Sequence, residues 1–284
     1  MKLPTVYDSR ITDRFEEETK FSLVDNLFLA CYAGSLTYGT AELDNLNDID
    51  MYAVVIPPKD RLLGLHEFDN IEFSVDNIDI KIYSLKRYIE LLLKNNPNIL
   101  QTLWSRDEDY MYRSVAFKRL ITDYRKDLTT QKLISSLIGY STQQLKRVTN
   151  LSTNDGAKRK ELITKYGYDT KMAYHLIRLL RMANEVIETG QLIIYRDSDA
   201  DELMEIKHGE WAYQKLMDTA NGLLERVISK RDAAKLLDSP DEFLLNQFLI
   251  DTTMNHLLHS YYNGHLNFDP NSVNFNERIH HHFN

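Results

Sequence analysis

Apolar and polar positions change rhythm along this chain. Residues 27–33 (Leu-Phe-Leu-Ala-Cys-Tyr-Ala) form a short apolar run that stops at Gly34, and Asp50 to Ile56 forms a second that stops at Pro57-Pro58. Apolar runs of this length, bounded by glycine or proline, predict buried strands. Ile78-Asp79-Ile80-Lys81-Ile82-Tyr83 alternates with period two. A third strand there places the isoleucines on one face and Asp79, Lys81 and Tyr83 on the other.

Beyond this point the period becomes helical. Leu85 to Lys94 reads as a helix ended by Asn95-Asn96-Pro97, and Ile99 to Trp104 as a second short helical piece. From Thr129 onward the pattern is helical, with breaks at Asn154-Asp155-Gly156, Gly167, Gly190 and Ser239-Pro240. Residues 196–210 begin as a polar loop that leads into another helix. The organisation expected is a small α/β sheet domain over residues 1–128 and an all-helical domain over residues 129–284.

No apolar run approaches the roughly 18 residues that a membrane span needs. The first residues lack the apolar stretch of a signal peptide. The lone Cys31 excludes an internal disulfide and a multi-cysteine zinc site. A cytoplasmic protein with no membrane partner is expected. Net charge is −8, which argues against a general nucleic-acid coat. The average hides a division, because Ser141 to Arg181 carries nine cations against three anions, whereas Asp197 to the end carries fifteen acids against seven Lys and Arg. A basic middle between acidic flanks suits a local polyanion site.

Candidate chemistry gathers at Gly34-Ser35-Leu36-Thr37-Tyr38-Gly39-Thr40 and Asp48-Ile49-Asp50. A strand opening into Gly34-Ser35 offers backbone N–H groups that approach a phosphate without a side chain in the way. The spacing is not a P-loop, since Thr40 stands where the lysine belongs. Asp48 and Asp50, at i and i+2 on an extended chain, share a face. So close a pair repels unless a cation sits between them, and Mg²⁺ prefers carboxylate and phosphate oxygens. Asp79 interrupts an isoleucine ladder on the polar face of its strand, with Asp76 a rival for the same role. Three converging carboxylates would hold two metal ions, one orienting the phosphates of an NTP and the other activating a hydroxyl.

These residues match a known pattern. Gly34-Ser35-x-x-Tyr38-Gly39-Thr40 followed by Asp48-x-Asp50 resembles the DNA polymerase β-like nucleotidyltransferase superfamily. Asp79–Leu85, Leu91–Asn98 and Tyr166–Lys171 leading to His175 and Arg178 resemble its bacterial and phage subgroup associated with RNA repair. The resemblance implies an α+β fold, with a mixed sheet in the nucleotidyltransferase domain. It implies that Gly34 and Ser35 hold the triphosphate and that Asp48, Asp50 and Asp79 bind two divalent ions, Mg²⁺ or alternatively Mn²⁺. Relatives usually show Ser where this chain has Asn47.

Lys171, His175 and Arg178 fall at i, i+4 and i+7 on one helical face, and Met172, Ala173, Leu176, Leu180, Ala183 and Ile187 form an opposite apolar stripe. The expectation is a cationic stripe, free of the core, that binds nucleotide phosphates across the domain cleft. His175 stays open between general acid, phosphate donor and packing residue, and Arg181, off the stripe, is expected to tolerate replacement. The function expected is transfer of an NMP from an NTP to a hydroxyl, with RNA the first choice of acceptor. A protein acceptor, as in toxin–antitoxin systems, and a non-catalytic nucleotide sensor are the alternatives. His280-His281-His282 reads as a chain end.

Overall fold

The computed structural model describes residues 3–42, 46, 48–150 and 157–265. The chain opens with α1 (Ser9–Thr19), capped by the Asp8 carboxylate, which accepts from the Arg10 N–H. Ile11, Phe15 and Thr19, four apart, are its buried face. There follow β1 (Leu27–Tyr32), the short α2 (Gly34–Tyr38), β2 (Ile49–Val55), α3 (Lys59–Leu63), β3 (Asn70–Val75) and β4 (Ile78–Ser84). Helices α4 (Leu85–Leu93) and α5 (Pro97–Leu100) lead to β5 (Tyr110–Arg113) and α6 (Val115–Arg119). The remainder is helical: α7 (Gln131–Thr149), α8 (Ala157–Tyr166), α9 (Thr170–Thr189), α10 (Ala200–Lys207), α11 (Tyr213–Lys230) and α12 (Glu242–His265).

The five strands lie in the order β3-β4-β2-β1-β5. Only β2 and β4 run parallel, and the other neighbours are antiparallel, so the sheet is mixed and the fold α+β, as expected. The isoleucine ladder does what its period dictates. Ile78, Ile80 and Ile82 are buried with Ile49, Met51, Val55 and the α1 residues Ile11 and Phe15. The opposite faces of β2 and β4 carry Asp50, Asp79 and Lys81, directed away from that core.

The other large cluster draws on both sides of residue 128, joining Phe28 and Cys31 to α4, α7, α9 and α12 through Tyr88, Leu133, Met182 and Phe248. A third cluster packs Ala173, Leu176, Ile177 and Leu180 of α9 against α10 and α11. Helix α9 is therefore apolar toward two neighbours at once. This overturns the free cationic stripe: Arg178 is only 5% exposed, because helices pack on both flanks of α9.

Three sequence expectations, the Asn154-Asp155-Gly156 break, the Asn47 substitution and the terminal histidines, lie outside the described residues. Among the described residues no helix is long and apolar enough to cross a membrane.

Candidate active site

The site begins where β1 ends. The Ala33 N–H donates to the Asp50 carbonyl at 2.8 Å, so the chain is still held to β2 as it turns. Gly34 then adopts φ +63, and a β-carbon there would lie 2.0 Å from Asp50 Oδ2. Glycine is required twice over, by the left-handed backbone and by the carboxylate against it. Residues expected to form an open turn wind instead into α2. Ala33 offers no side-chain cap, and the first amides of a helix have no partner inside it. Those of Gly34 and Ser35 thus start the helix beside Asp50.

Asp50 and Asp79 are direct partners in the parallel β2–β4 register, so their side chains leave the same face of adjacent strands. Asp48 is exposed just ahead of β2. Ser74, opposite Asp79 on β3, donates its hydroxyl to Asp79 Oδ1. The rival Asp76 is placed elsewhere, in the left-handed tip of the β3–β4 hairpin, where it pairs with Arg10. Among the described residues none of Asp48, Asp50 and Asp79 has a salt-bridge partner. Burial, then the charge of Asp79, raises the Asp50 pKa, and Lys171 partly offsets them before Asp48 adds to the rise. Lys81, two residues from Asp79, is already paired with Glu72 at 2.9 Å.

A cleft of about 390 Å³ opens beside this cluster. The sheet half contributes Gly34, Ser35, Tyr38, Thr40, Asp48 and Asp50. The helical half contributes Leu162, Thr170, Lys171, Tyr174, His175 and Lys207. Of the residues singled out from sequence, Asp79 stands beside Asp50 without lining the cleft, and Arg178 lies behind its wall. The Arg178 guanidinium stacks 3.7 Å from the centroid of the Tyr38 ring, and Tyr38 donates its hydroxyl to Gln101 Oε1 at 2.6 Å. The Tyr174 and Thr40 hydroxyls are hydrogen-bonded at 2.7 Å. Arg178 thus braces the turn from behind.

His175 is not a cation here. Burial, followed by the charges of Arg178, Lys171 and Lys207, pushes its pKa down to about 3, leaving a neutral imidazole on the cleft wall. Arg181 is not idle either, because it pairs with Asp199 at 2.7 Å and with Glu202. Asp199 is shared with Arg196, whose guanidinium also grips Glu185 at 2.6 Å. The Arg196 backbone N–H donates to the Tyr38 carbonyl at 3.0 Å, and the Tyr195 ring packs on Gly39 beneath Arg106. The Arg181 expectation is corrected: it belongs to an ion network that pins the segment holding α2.

Lys207 was not anticipated from sequence. It closes α10 like many a helix-ending cation, and only the fold brings it to the cleft, 3.5 Å from the Thr40 carbonyl and 3.6 Å from Glu42. Tyr174 and Leu162 gave no signal beyond ordinary helical periodicity.

The donor set suits a hard divalent cation: carboxylate oxygens of one sign, on one face, with no described cation paired to them. Among the described residues no three carboxylate, histidine or cysteine side chains come close enough to hold a metal by themselves.

No curated protein matches the chain. The solved structure of a nucleotidyltransferase-like protein from Exiguobacterium sibiricum 255-15 is similar at 10% identity, covering 79% of this chain and 74% of that one. The TM-score between the two is 0.25. A family model described as the RNA repair pathway DNA polymerase beta family matches residues 8–251. That span takes in the whole sheet, the Gly34–Asp50 segment, Asp79 and α7 to α11, and the chain belongs to this family.

Proposed function

We propose that this protein, a polymerase β-like nucleotidyltransferase by family, moves a nucleoside monophosphate from an NTP to a hydroxyl on RNA. The observation that carries the reading is the Asp50–Asp79 pair, in register and unpaired by any described cation, with Gly34 pressed against Asp50. A cluster of like charges is costly to keep unless it serves a cation. In this reading residues 1–128 supply the carboxylates and the phosphate turn, and residues 129–284 supply the facing wall.

The hydroxyl gives up its proton to solvent, its oxygen attacks the α-phosphorus, the bond to the bridging oxygen of the β-phosphate breaks, and pyrophosphate leaves. Two Mg²⁺ ions (Mn²⁺ being the alternative), held by Asp48, Asp50 and Asp79, would neutralise phosphate charge and lower the pKa of the attacking hydroxyl. The amides of Gly34 and Ser35 and the Ser35 hydroxyl bind phosphate oxygens. Lys171 and Lys207 offset the remaining charge from the opposite wall, and Lys207 exchanges Glu42 for phosphate. Neutral His175 is suited to donate a hydrogen bond. Tyr38, Tyr174 and Leu162 shape the cleft, and Arg178 holds Tyr38 in place without reaching the substrate.

The test is incubation of the protein with each α-labelled NTP, Mg²⁺ and total RNA, with the Asp50→Asn variant beside it. Label entering RNA from one or more NTPs, and lost in the variant, is the expected result. Label entering protein instead, or turnover of the variant within tenfold of wild type, overturns it.

A further inference from the structure

We infer that the RNA acceptor lies along a cationic ledge made by the last turn of α7, the outer side of α8 and the start of α9, leading to the cleft at Lys171. The inference rests on the proposed transfer to RNA and adds where the strand is held.

One guanidinium gathers the ledge. Arg159, near the start of α8, donates from Nη2 to the carbonyls of Arg147 at 2.9 Å and Asn150 at 2.7 Å. Its Nε lies 3.3 Å from Asp169, the residue that caps α9. The C-terminal end of α7 and the N-terminal ends of α8 and α9 therefore meet at a single side chain. Arg159 is structural. Around it the surface is basic: Lys146 and Arg147 are exposed at the end of α7, and Lys160 and Lys165 on α8. Arg147 Nη1 touches the sulfur of Met172 at 3.6 Å, next to Lys171, and Leu162 of α8 lines the cleft itself. The ledge and the cleft mouth are continuous.

Among the described residues Lys146, Arg147 and Lys160 have no carboxylate partner, while Lys165 feels Glu161 and Lys171 feels Asp50, so the ledge keeps an excess of positive charge. Asp169 is committed to Arg159 and to the Met172 N–H, which leaves Glu161 as the other described acid of this segment. In a chain of net charge −8, a concentration of cations beside an active-site cleft focuses potential for a polyanion. Helix α8 alone is about 15 Å long, which spans several phosphates of an extended strand. A strand held there presents a hydroxyl to the cleft at Lys171.

The test is fluorescence anisotropy of a short labelled single-stranded oligoribonucleotide against the intact protein across a NaCl titration. The ledge triple variant Lys146→Ala/Lys160→Ala/Lys165→Ala is compared with Lys86→Ala/Lys118→Ala/Lys126→Ala, which removes as many exposed lysines elsewhere. Every phosphate that is no longer neutralised reduces the slope of log K against log salt by about 0.7, so the ledge variant should have a slope shallower by about 2 and on the order of tenfold weaker affinity at low salt. The control should match wild type, and calorimetry with a nonhydrolysable NTP and Mg²⁺ should give wild-type nucleotide binding in both. Wild-type slope and affinity in the ledge variant, or equal losses in both triples, overturn the ledge while leaving RNA labelling intact. Absence of RNA labelling by the wild-type protein overturns the transfer reading, and the ledge with it.

Discussion

Gly34 and Asp50 are in such close approach that a β-carbon on the first would fall 2.0 Å from a carboxylate oxygen of the second. The contact joins the proposed phosphate turn to the acidic strand and sets the distance between them. A Gly34→Ala variant must relieve both the clash and a φ of +63. The left-handed backbone alone costs roughly 1–2 kcal/mol. Thermal melts should therefore show a lowered Tm, and transfer should fall to background because Asp50 is displaced. Asp50→Asn should abolish transfer with Tm unchanged or raised. Transfer near wild type in Gly34→Ala would show that the turn and Asp50 need not be in register.

The raised pKa of Asp50 has a consequence for stability without metal. A carboxyl whose folded pKa exceeds its unfolded value holds more protons when folded, so its contribution improves as pH falls through the folded pKa. Urea unfolding from pH 7 down to pH 4 should show a more favourable trend in wild type than in Asp50→Asn. Mg²⁺ competes with that proton, so stabilisation by Mg²⁺ with NTP should fade on acidification at a higher pH than an ordinary carboxylate would dictate. Parallel pH profiles for the two proteins would remove Asp50 from this role.

His175 acts with the opposite sign. Its folded pKa of about 3 lies below its unfolded value, so the unfolded chain takes up the proton. Stability is intact above about pH 6.5 and declines below it by up to about 1.4 kcal/mol per pH unit. His175→Gln should flatten this loss between pH 6.5 and 5 in denaturant titrations. An unchanged slope in the variant would mean that the imidazole is not held neutral by its surroundings.

Arg178 and the cleft lysines should separate by readout. Arg178 is buried on Tyr38, and a desolvated cation–π contact is worth about 2 kcal/mol. Arg178→Lys keeps the charge but loses the planar stack, so it should lower Tm and reduce kcat through a loosened turn. Lys171→Ala and Lys207→Ala should raise the KM for NTP with little change in Tm. Equal Tm losses in all three would make the lysines structural as well.

How much of this was legible in the sequence depends on the range of the forces involved. The strands of Asp50 and Asp79 and the direction of the Asp79 side chain follow from local alternation, which burial on one face enforces. The edge strand β5 was not legible, since Tyr110–Arg113 is short and half exposed, whereas β3 carries the same period-two signal as β4 in Ile71-Glu72-Phe73-Ser74-Val75 and was missed. The short helix α2 was read as a turn. Arg178 was misread because helical period reports one apolar face, whereas α9 is flanked by packing partners on two. Lys207 and the Arg196 network depend on contacts between segments far apart in sequence, which no local pattern encodes.

The parallel pairing of β2 with β4 also orders assembly. The β3–β4 hairpin closes across the two residues Asp76 and Asn77, a short loop that forms on the microsecond scale. Its docking beside β2 requires closure of the longer connection through α3, and longer loops close at greater entropic cost. Asp79 therefore arrives next to Asp50 only once the hairpin has docked on β2. A nascent or partly unfolded chain carries the acidic residues apart, and the proposed transfer is withheld until β2 and β4 are paired.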